Sequence, residues 1–143
     1  MINVARKPVS TSKEHLNSIN RERVIEFLYK VDLLGIDDIQ CRKDFEGWPK
    51  SYAYAITVLD NYLKNSKEID DLIQDNLIEW KLTRLPFMDR AILRAGFSEL
   101  LLKAVPDGVI LSEAVKLANE YSGVESQSFV NGVLAKFVKK FKD

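Results

Sequence analysis

The sequence predicts an all-α protein, a compact bundle of about six to seven helices, and three observations favour this class. Apolar residues recur at the i, i+3, i+4, i+7 spacing of an amphipathic helix through most of the chain. No segment alternates strictly between polar and apolar residues, as a half-buried strand would. A chain of 143 residues with 46% hydrophobic residues is long enough to bury one core without disulfides or metal.

Five segments carry an apolar stripe at helical spacing and are predicted to be helices. In chain order the stripes are Val24, Phe27, Leu28 and Val31; Tyr52, Ala55, Ile56, Leu59 and Leu63; Ile69, Leu72, Ile73, Leu77 and Trp80; Ile110, Ala114, Leu117, Ala118 and Tyr121; and Val130, Val133, Leu134, Phe137 and Phe141. Gly47 and Pro49 break the chain between the first two stripes. Asp107 is the predicted N-cap of the helix that carries the fourth stripe. Trp48 and Trp80 are interpreted as core or loop anchors.

The segment 86–103 is apolar on nearly every side, which predicts a central helix surrounded by the others. Pro86 suits the first turn of this helix, because its missing amide would have no intrahelical partner there. An unpaired charge on so apolar a helix would be strongly destabilising. Arg94 is therefore expected to pair with a carboxylate such as Glu113 or Glu99.

The same patterns predict one domain. Residues 16–143 are expected to form a single helical domain, and residues 1–15 a flexible basic arm without a clear amphipathic period. No apolar run is long enough for a signal peptide or a membrane span. Since Cys41 is the only cysteine, a reducing cytoplasm is the expected compartment.

Residues typical of catalysis and cofactor binding are missing or isolated. Cys41 and His15 are the only cysteine and histidine, too few for the usual ligands of a tetrahedral zinc site. The six glycines are scattered singly, so no phosphate-binding loop of a nucleotide site can be assembled. His15 has no evident Ser or Cys partner, and Asp70 and Asp71 are typical of a solvated helix face. We predict a protein without enzymatic activity, metal or cofactor.

The charge is unevenly distributed along the chain, although the formal net charge is zero. Residues 1–30 carry six Lys or Arg against three acids, residues 31–80 five against eleven, and residues 81–143 ten against seven. The three segments therefore have net charges of +3, −6 and +3. This asymmetry is compatible with a basic face for phosphate and an acidic face for a basic protein, and equally with a solvated charged surface.

The segment from Arg84 to Phe137 contains three informative strings, namely RLPFMDRAILRAGFSELLL, then VILSEAVKLANEYSG, then ESQSFVNGVLAKF. In this order they resemble the C-terminal half of the NusB transcription antitermination family. Members of that family have a DRAILR-like string on a buried helix, and strings similar to the other two open the next helices. The resemblance is looser from Tyr52 to Trp80 and weakest over the first 50 residues.

The resemblance implies an all-helical fold of two packed helical subdomains and a non-catalytic function. It implies binding of boxA-type, single-stranded RNA of nascent ribosomal RNA transcripts together with NusE, a ribosomal small-subunit protein. The transcription elongation complex is the further implied partner, because the family holds RNA on the polymerase and makes transcription resist termination. Such binding requires phosphate contacts for affinity and aromatic side chains that stack on unpaired bases.

Phe129 is the leading candidate for RNA binding. It lies one position off the stripe of the last helix, about 100° around an ideal helix, and Lys136 and Lys140 follow at i+7 and i+11. An aromatic ring flanked by two ammonium groups is suited to stack on a base while the lysines contact phosphate. We predict that the ring lies on the solvent side; the alternative is core packing against an adjacent helix.

The resemblance assigns roles to further residues. It places Arg21 and Arg23, at the start of the first helix, on the RNA-binding surface and Asp89 on the NusE-binding surface. Each has an ordinary alternative, because arginines are common near helix starts and an acid in the first turn favours the helix dipole. Asn131 and Gly132 are interpreted as a close helix-packing point that the resemblance also places near RNA.

An alternative function stays open at this point. Only Arg21 and Arg23 stand where NusB proteins usually carry a dense arginine cluster, and Ser112 replaces the usual asparagine. The alternative is a protein–protein interaction module of the NusB fold with lost or altered RNA binding. The NusB-like domain of an RNA methyltransferase is a weaker alternative, because 143 residues leave no room for a catalytic domain.

Overall fold

A computed structural model describes the backbone of residues 13–142 and the side chains of residues 17–140. This part of the chain forms seven α-helices and two single 3-10 turns, with no strand. The helices are α1 (Lys13–Leu34), α2 (Asp38–Glu46), α3 (Ala53–Lys64), α4 (Ser66–Asp75), α5 (Phe87–Leu102), α6 (Asp107–Ser122) and α7 (Val124–Lys142), and the 3-10 turns are Lys50–Tyr52 and Leu82–Arg84. The predicted all-α class is confirmed.

Helix α5 is the centre of the fold, as the sequence predicts. It packs against α1, α3, α4, α6 and α7, and ten of its sixteen residues are buried. Around it, α1 packs on α3 and α3 on α4, whereas α6 and α7 pair with each other. The two helical subdomains thus share α5, and their apolar stripes meet in one core.

The close approach of α5 and α7 occurs at Gly96. A Cβ at this position would lie 3.2 Å from Cδ2 of Leu134, tighter than ordinary van der Waals contact. Gly132, the predicted packing point, is exposed, and a Cβ there would meet nothing within 4 Å. That prediction was wrong, because Gly132 lies on the outer side of α7 and Gly96 provides the close helix contact.

Arg94 forms a different ion pair from the one that the sequence suggested. Its Nε and Nη2 donate to the carboxylate of Asp70 at 3.0 and 3.1 Å, and its Nη1 donates to Asp32 at 3.0 Å. These contacts tie α5 to α4 and α1 across the bundle. The expectation of a carboxylate partner was right, but Glu99 and Glu113 were the wrong carboxylates.

The helix starts follow the sequence closely, with two small differences. Asp37 caps α2 by accepting a hydrogen bond from the Gln40 amide at 2.9 Å. Pro106 occupies the N-cap position of α6, and Asp107 is the first helical residue rather than the predicted cap. Pro86 likewise precedes α5, which begins at Phe87.

The predicted arm of residues 1–15 lies outside the described residues except for its last three, which are the first three residues of α1. None of the helices in the described part of the chain is long and apolar enough to cross a membrane.

Candidate nucleic-acid interface

The segment between α4 and α5 presents an exposed tryptophan. Helix α4 ends at Asp75, and Glu79 adopts a left-handed conformation with φ of 64°, which few residues other than glycine favour. Both polar atoms of the Gln74 side chain bind this segment. Its Nε2 donates to the Trp80 carbonyl at 2.9 Å, and its Oε1 accepts from the Leu82 amide at 2.9 Å. The Trp80 side chain is 55% exposed. Its interpretation as a core or loop anchor was therefore wrong for the ring, although its backbone is anchored.

Phe129 lies on α7 opposite this segment. Val130, its neighbour in sequence, is fully buried, and Phe129 is half-buried at the edge of the same core. The prediction of a ring on the solvent side is thus only half right. The offset of about 100° from the stripe turns the ring away from the core centre. Phe129 and Trp80 together line two neighbouring clefts.

The first of these clefts, here called the lysine cleft, has a volume of about 270 Å³. Its walls are mainly apolar, and among the described residues Lys136 is the only charged one that lines it, without any carboxylate. The lining residues are Asn76, Ile78, Trp80, Ser128, Phe129, Gly132, Val133 and Lys136.

Asn76 gives the lysine cleft an unsatisfied hydrogen-bond acceptor. The residue is 4% exposed, and its Nδ2 donates to the carbonyl of Leu72 at 2.8 Å. This donation sets the orientation of the amide, so the other atom, Oδ1, is an acceptor. Among the described residues Oδ1 has no hydrogen-bond partner. A buried acceptor left in this state is unfavourable unless a ligand or water satisfies it.

The second cleft, here called the aspartate cleft, has a volume of about 380 Å³. Trp80 and Phe129 line it together with Leu85, Pro86, Asp89, Glu125 and Ser126. Asp89 is only 6% exposed, and its Oδ1 has no hydrogen-bond partner among the described residues. Burial raises the pKa of Asp89, and the nearby Ser126 hydroxyl partly offsets this shift. A partner that contacts Asp89 must therefore reach into the cleft.

The lysines of α7 extend the lysine cleft along the helix. Lys136 lines the cleft, and Lys140, one turn further on, is exposed on the same side. Neither lysine forms an ion pair with another residue in the described part of the chain. Both ammonium groups are thus available to an anionic ligand.

Arg21 does not fit the predicted contact with phosphate. It is 4% exposed, its Nε donates to Glu99 at 2.7 Å, and its Nη1 lies 3.6 Å from Glu113. The Tyr54 hydroxyl donates to the other oxygen of Glu99. Burial is the main reason why the pKa of this hydroxyl is raised. Arg21 is therefore part of a buried polar network that joins α1 to α5 and α6.

Arg23 lies half-exposed between two aromatic rings. Its guanidinium carbon is 4.8 Å from the ring centre of Trp48 and 4.9 Å from that of Tyr52. It lines a cleft of about 220 Å³ with Phe27 and Lys30, among others, but not with Phe129. The arginines and Phe129, which the sequence assigned to one surface, thus share none of the described clefts.

The structure brings Phe129, Lys136 and Asp89 together, because Phe129 lines the cleft of each of the other two. Trp80 joins them, and sequence reasoning missed it. In sequence, Trp80 follows Leu77 at helical spacing and therefore looks like part of the buried stripe of α4. The helix ends at Asp75, however, so this periodicity does not apply to Trp80. Among the described residues no cluster of three or more His, Cys, Asp or Glu side chains could hold a metal ion.

The chain is similar to known proteins over most of its length. The model of the NusB family matches residues 18–139. The transcription antitermination protein NusB of Clavibacter sepedonicus is 41% identical over 125 residues, which are 81% of this chain and 90% of the relative. That of Kineococcus radiotolerans is 38% identical over 122 residues, covering 83% and 90% of the two chains.

Solved structures of NusB proteins have a similar fold. NusB of T. maritima superposes with a TM-score of 0.77 and 31% identity, covering 86% of this chain and 90% of that one. A crystal structure of the antitermination factors NusB and NusE in complex with double-stranded RNA gives a TM-score of 0.76 and 29% identity, covering 87% and 97%.

Proposed function

The chain belongs to the NusB family, and from this premise we propose that it is an RNA-binding adaptor in transcription antitermination. It binds boxA-type RNA of nascent ribosomal RNA transcripts together with the ribosomal protein NusE. The observation that carries the proposal is the position of Phe129, which lines one cleft with Lys136 and the adjoining cleft with Asp89. One surface therefore offers contacts for both partners.

The lysine cleft supplies the chemistry for single-stranded RNA. An unpaired base stacks on the exposed part of the Phe129 ring, and the adjacent backbone phosphates contact Lys136 and Lys140. Since neither lysine has an ion-pair partner within the described residues, phosphate binding breaks no existing interaction. Arg23, half-exposed at a separate cleft, is a further candidate for phosphate contact. Arg21 supports the surface indirectly by holding α1 against α5 and α6.

The aspartate cleft supplies the chemistry for NusE. A buried carboxylate with one oxygen that lacks a hydrogen-bond partner among the described residues, as in Asp89, gains most from a donor that enters the cleft. NusE provides such a donor to Asp89 in this proposal. Because Phe129 and Trp80 line both clefts, NusE bound at Asp89 lies beside the RNA and adds its own phosphate contacts. RNA affinity is then higher in the presence of NusE.

The proposed role is binding alone, without catalysis. It places the protein on the transcription elongation complex and hence in the cytoplasm, where nascent transcripts are made. The alternative of a protein–protein module without RNA binding leaves Lys136, which has no ion-pair partner among the described residues, and the aromatic cleft that it lines without a use. We therefore favour the RNA-binding function.

A titration with a single-stranded boxA-like RNA oligonucleotide, at several salt concentrations and with or without NusE, tests the proposal. We expect affinity to fall as salt increases, because phosphate binding releases counterions. We also expect NusE to increase the affinity, since the composite surface contacts more phosphates. A scrambled oligonucleotide of the same length measures the non-specific part.

Two outcomes contradict the proposal. If the protein binds NusE but no RNA at any salt concentration, the interaction module is the better description. If RNA affinity is identical with and without NusE, the two clefts do not form a composite surface.

A further inference from the structure

Trp80 is an exposed aromatic side chain on a backbone segment that is hydrogen-bonded to Gln74. Its ring is 55% exposed, whereas Gln74 binds the Trp80 carbonyl and the amide of Leu82, two residues further on. Glu79, the preceding residue, has a left-handed conformation that favours glycine. A backbone held in an unfavourable conformation persists only when its surroundings enforce it, and such positions cluster at functional sites. The segment keeps a large apolar ring in solvent at a defined place.

The surroundings of Trp80 form a slot with apolar walls. Ile78 is 68% exposed on the same segment, and Phe129 and Val133 line the α7 side. Gly132 faces the same cleft without a side chain, and a Cβ there would meet nothing within 4 Å. A flat ring can therefore approach the backbone of α7.

The polar groups of the lysine cleft favour a nucleobase over an apolar protein side chain. An aliphatic group would leave Oδ1 of Asn76 without a hydrogen bond, whereas nucleobases carry N–H donors on their edges. Lys136 lies in the same cleft, and no carboxylate from the described part of the chain lines it. The charge thus complements a phosphate attached to the base.

We infer that Trp80 is a second base-stacking residue and that the lysine cleft holds one unpaired base of the RNA. The base contacts the rings of Trp80 and Phe129, its edge faces Asn76, and its phosphate lies at Lys136. This inference rests on the proposed RNA-binding function, and it adds a residue and a ligand position to that function.

Tryptophan emission tests the inference, because the chain has only two tryptophans. Titration of the wild-type protein with single-stranded boxA-like RNA is expected to quench the emission, because the base stacks on Trp80. In the Trp80→Phe variant only Trp48 emits, and the RNA-dependent quenching is expected to be lost although the RNA still binds. The concentration at half-maximal quenching should match the dissociation constant measured with labelled RNA.

Affinity measurements on matched variants provide a second readout. Trp80→Leu removes the ring but keeps an apolar side chain, and we expect RNA affinity to fall by about 5-fold to 150-fold, the worth of one stack on an aromatic residue. Trp80→Phe should restore most of that affinity. Gly132→Leu fills the cleft and should weaken RNA binding to a similar extent. Gly108→Leu makes the same change at another exposed glycine of an α-helix and should leave binding unchanged.

The possible failures can be told apart. If wild-type protein binds no RNA, the proposed function fails and the inference fails with it. If wild-type protein binds RNA but Trp80→Leu binds within 2-fold of it, or emission does not change, only the inference is wrong. If NusE without RNA changes the Trp80 emission and RNA does not, the cleft is a protein-binding surface.

Discussion

The middle of α1, a helix that begins eight residues before Arg21, and the outer face of α7 have the same kinds of residues and use them in opposite ways. Both combine basic side chains with aromatic rings. At α1, Arg21 is paired with Glu99 in the core and Arg23 lies between Trp48 and Tyr52. At α7, Lys136 has no ion-pair partner in the described part of the chain. A cation with internal partners supports the fold, whereas one without them is available to a ligand.

The largest effect that separates the two regions is expected at Arg21. Replacement by Met leaves Glu99 buried without its cation, and breaking a buried pair in this way costs about 3 to 5 kcal/mol of unfolding free energy. Urea denaturation measures this loss. RNA affinity of the folded protein should stay near that of the wild type. A stable variant that no longer binds RNA would show instead that Arg21 contacts phosphate.

Asp89, which lies on α5 and lines the aspartate cleft beside α7, tests the proposed contact with NusE. Asp89→Asn keeps the shape but removes the charge, and we expect NusE binding to weaken by about 1.5 to 3 kcal/mol, the usual worth of a hydrogen bond to a charged group. Isothermal titration calorimetry with NusE measures the change. Glu125→Gln, in the same cleft, is the matched control. Equal effects of the two changes would indicate general electrostatics rather than a contact at Asp89.

The raised pKa of Asp89 makes the difference in stability between the wild type and Asp89→Asn depend on pH. Because burial favours the protonated form, the stabilisation from this group is fully present below the unfolded-state pKa. It is lost as the pH rises through the higher folded-state pKa. The stability of the wild type relative to Asp89→Asn should therefore increase as the pH is lowered through that window. An opposite trend in denaturation at several pH values would mean that Asp89 has a cationic partner.

Phe129→Ala should affect both folding and binding, because the ring is half-buried. We expect a loss of about 1 to 3 kcal/mol of RNA binding, the worth of one base stack. Unfolding free energy should fall less than the roughly 3 to 5 kcal/mol expected for a fully buried phenylalanine such as Phe97. Thermal denaturation of both alanine variants gives the comparison. Equal destabilisation with normal RNA binding would assign Phe129 to the core.

The smallest effect is expected at Lys140, which is exposed and which we propose contacts RNA only through its charge. Lys140→Gln should reduce the slope of log affinity against log salt by about 0.7, the value for one phosphate contact of single-stranded nucleic acid. Lys43→Gln on α2 removes one charge elsewhere and is the control. If both changes alter the slope equally, only the net charge matters and Lys140 makes no specific contact.

The candidate site was partly predictable from sequence. Phe129, Lys136 and Asp89 were named as candidates, the first two from the offset of Phe129 to the apolar stripe together with the resemblance to the family, and Asp89 from the resemblance alone. The structure adds that they line adjoining clefts. Trp80 could not be identified as an exposed residue, because its helical spacing from the stripe of α4 predicted a buried position. A periodicity argument holds only while the chain stays helical, and the helix ends five residues earlier, at Asp75.

The sequence by itself determined the all-helical class, the central position of α5 and the family. These follow from periodicity and from local strings, and both are properties of neighbouring residues. Tertiary structure alone decided which charged side chains pair, because Arg21 and Glu99 are 78 positions apart in sequence and Arg94 and Asp32 are 62 apart. Helical spacing sets the face on which a side chain lies. Only the packing of the other helices determines whether that face meets a carboxylate, an aromatic ring or solvent.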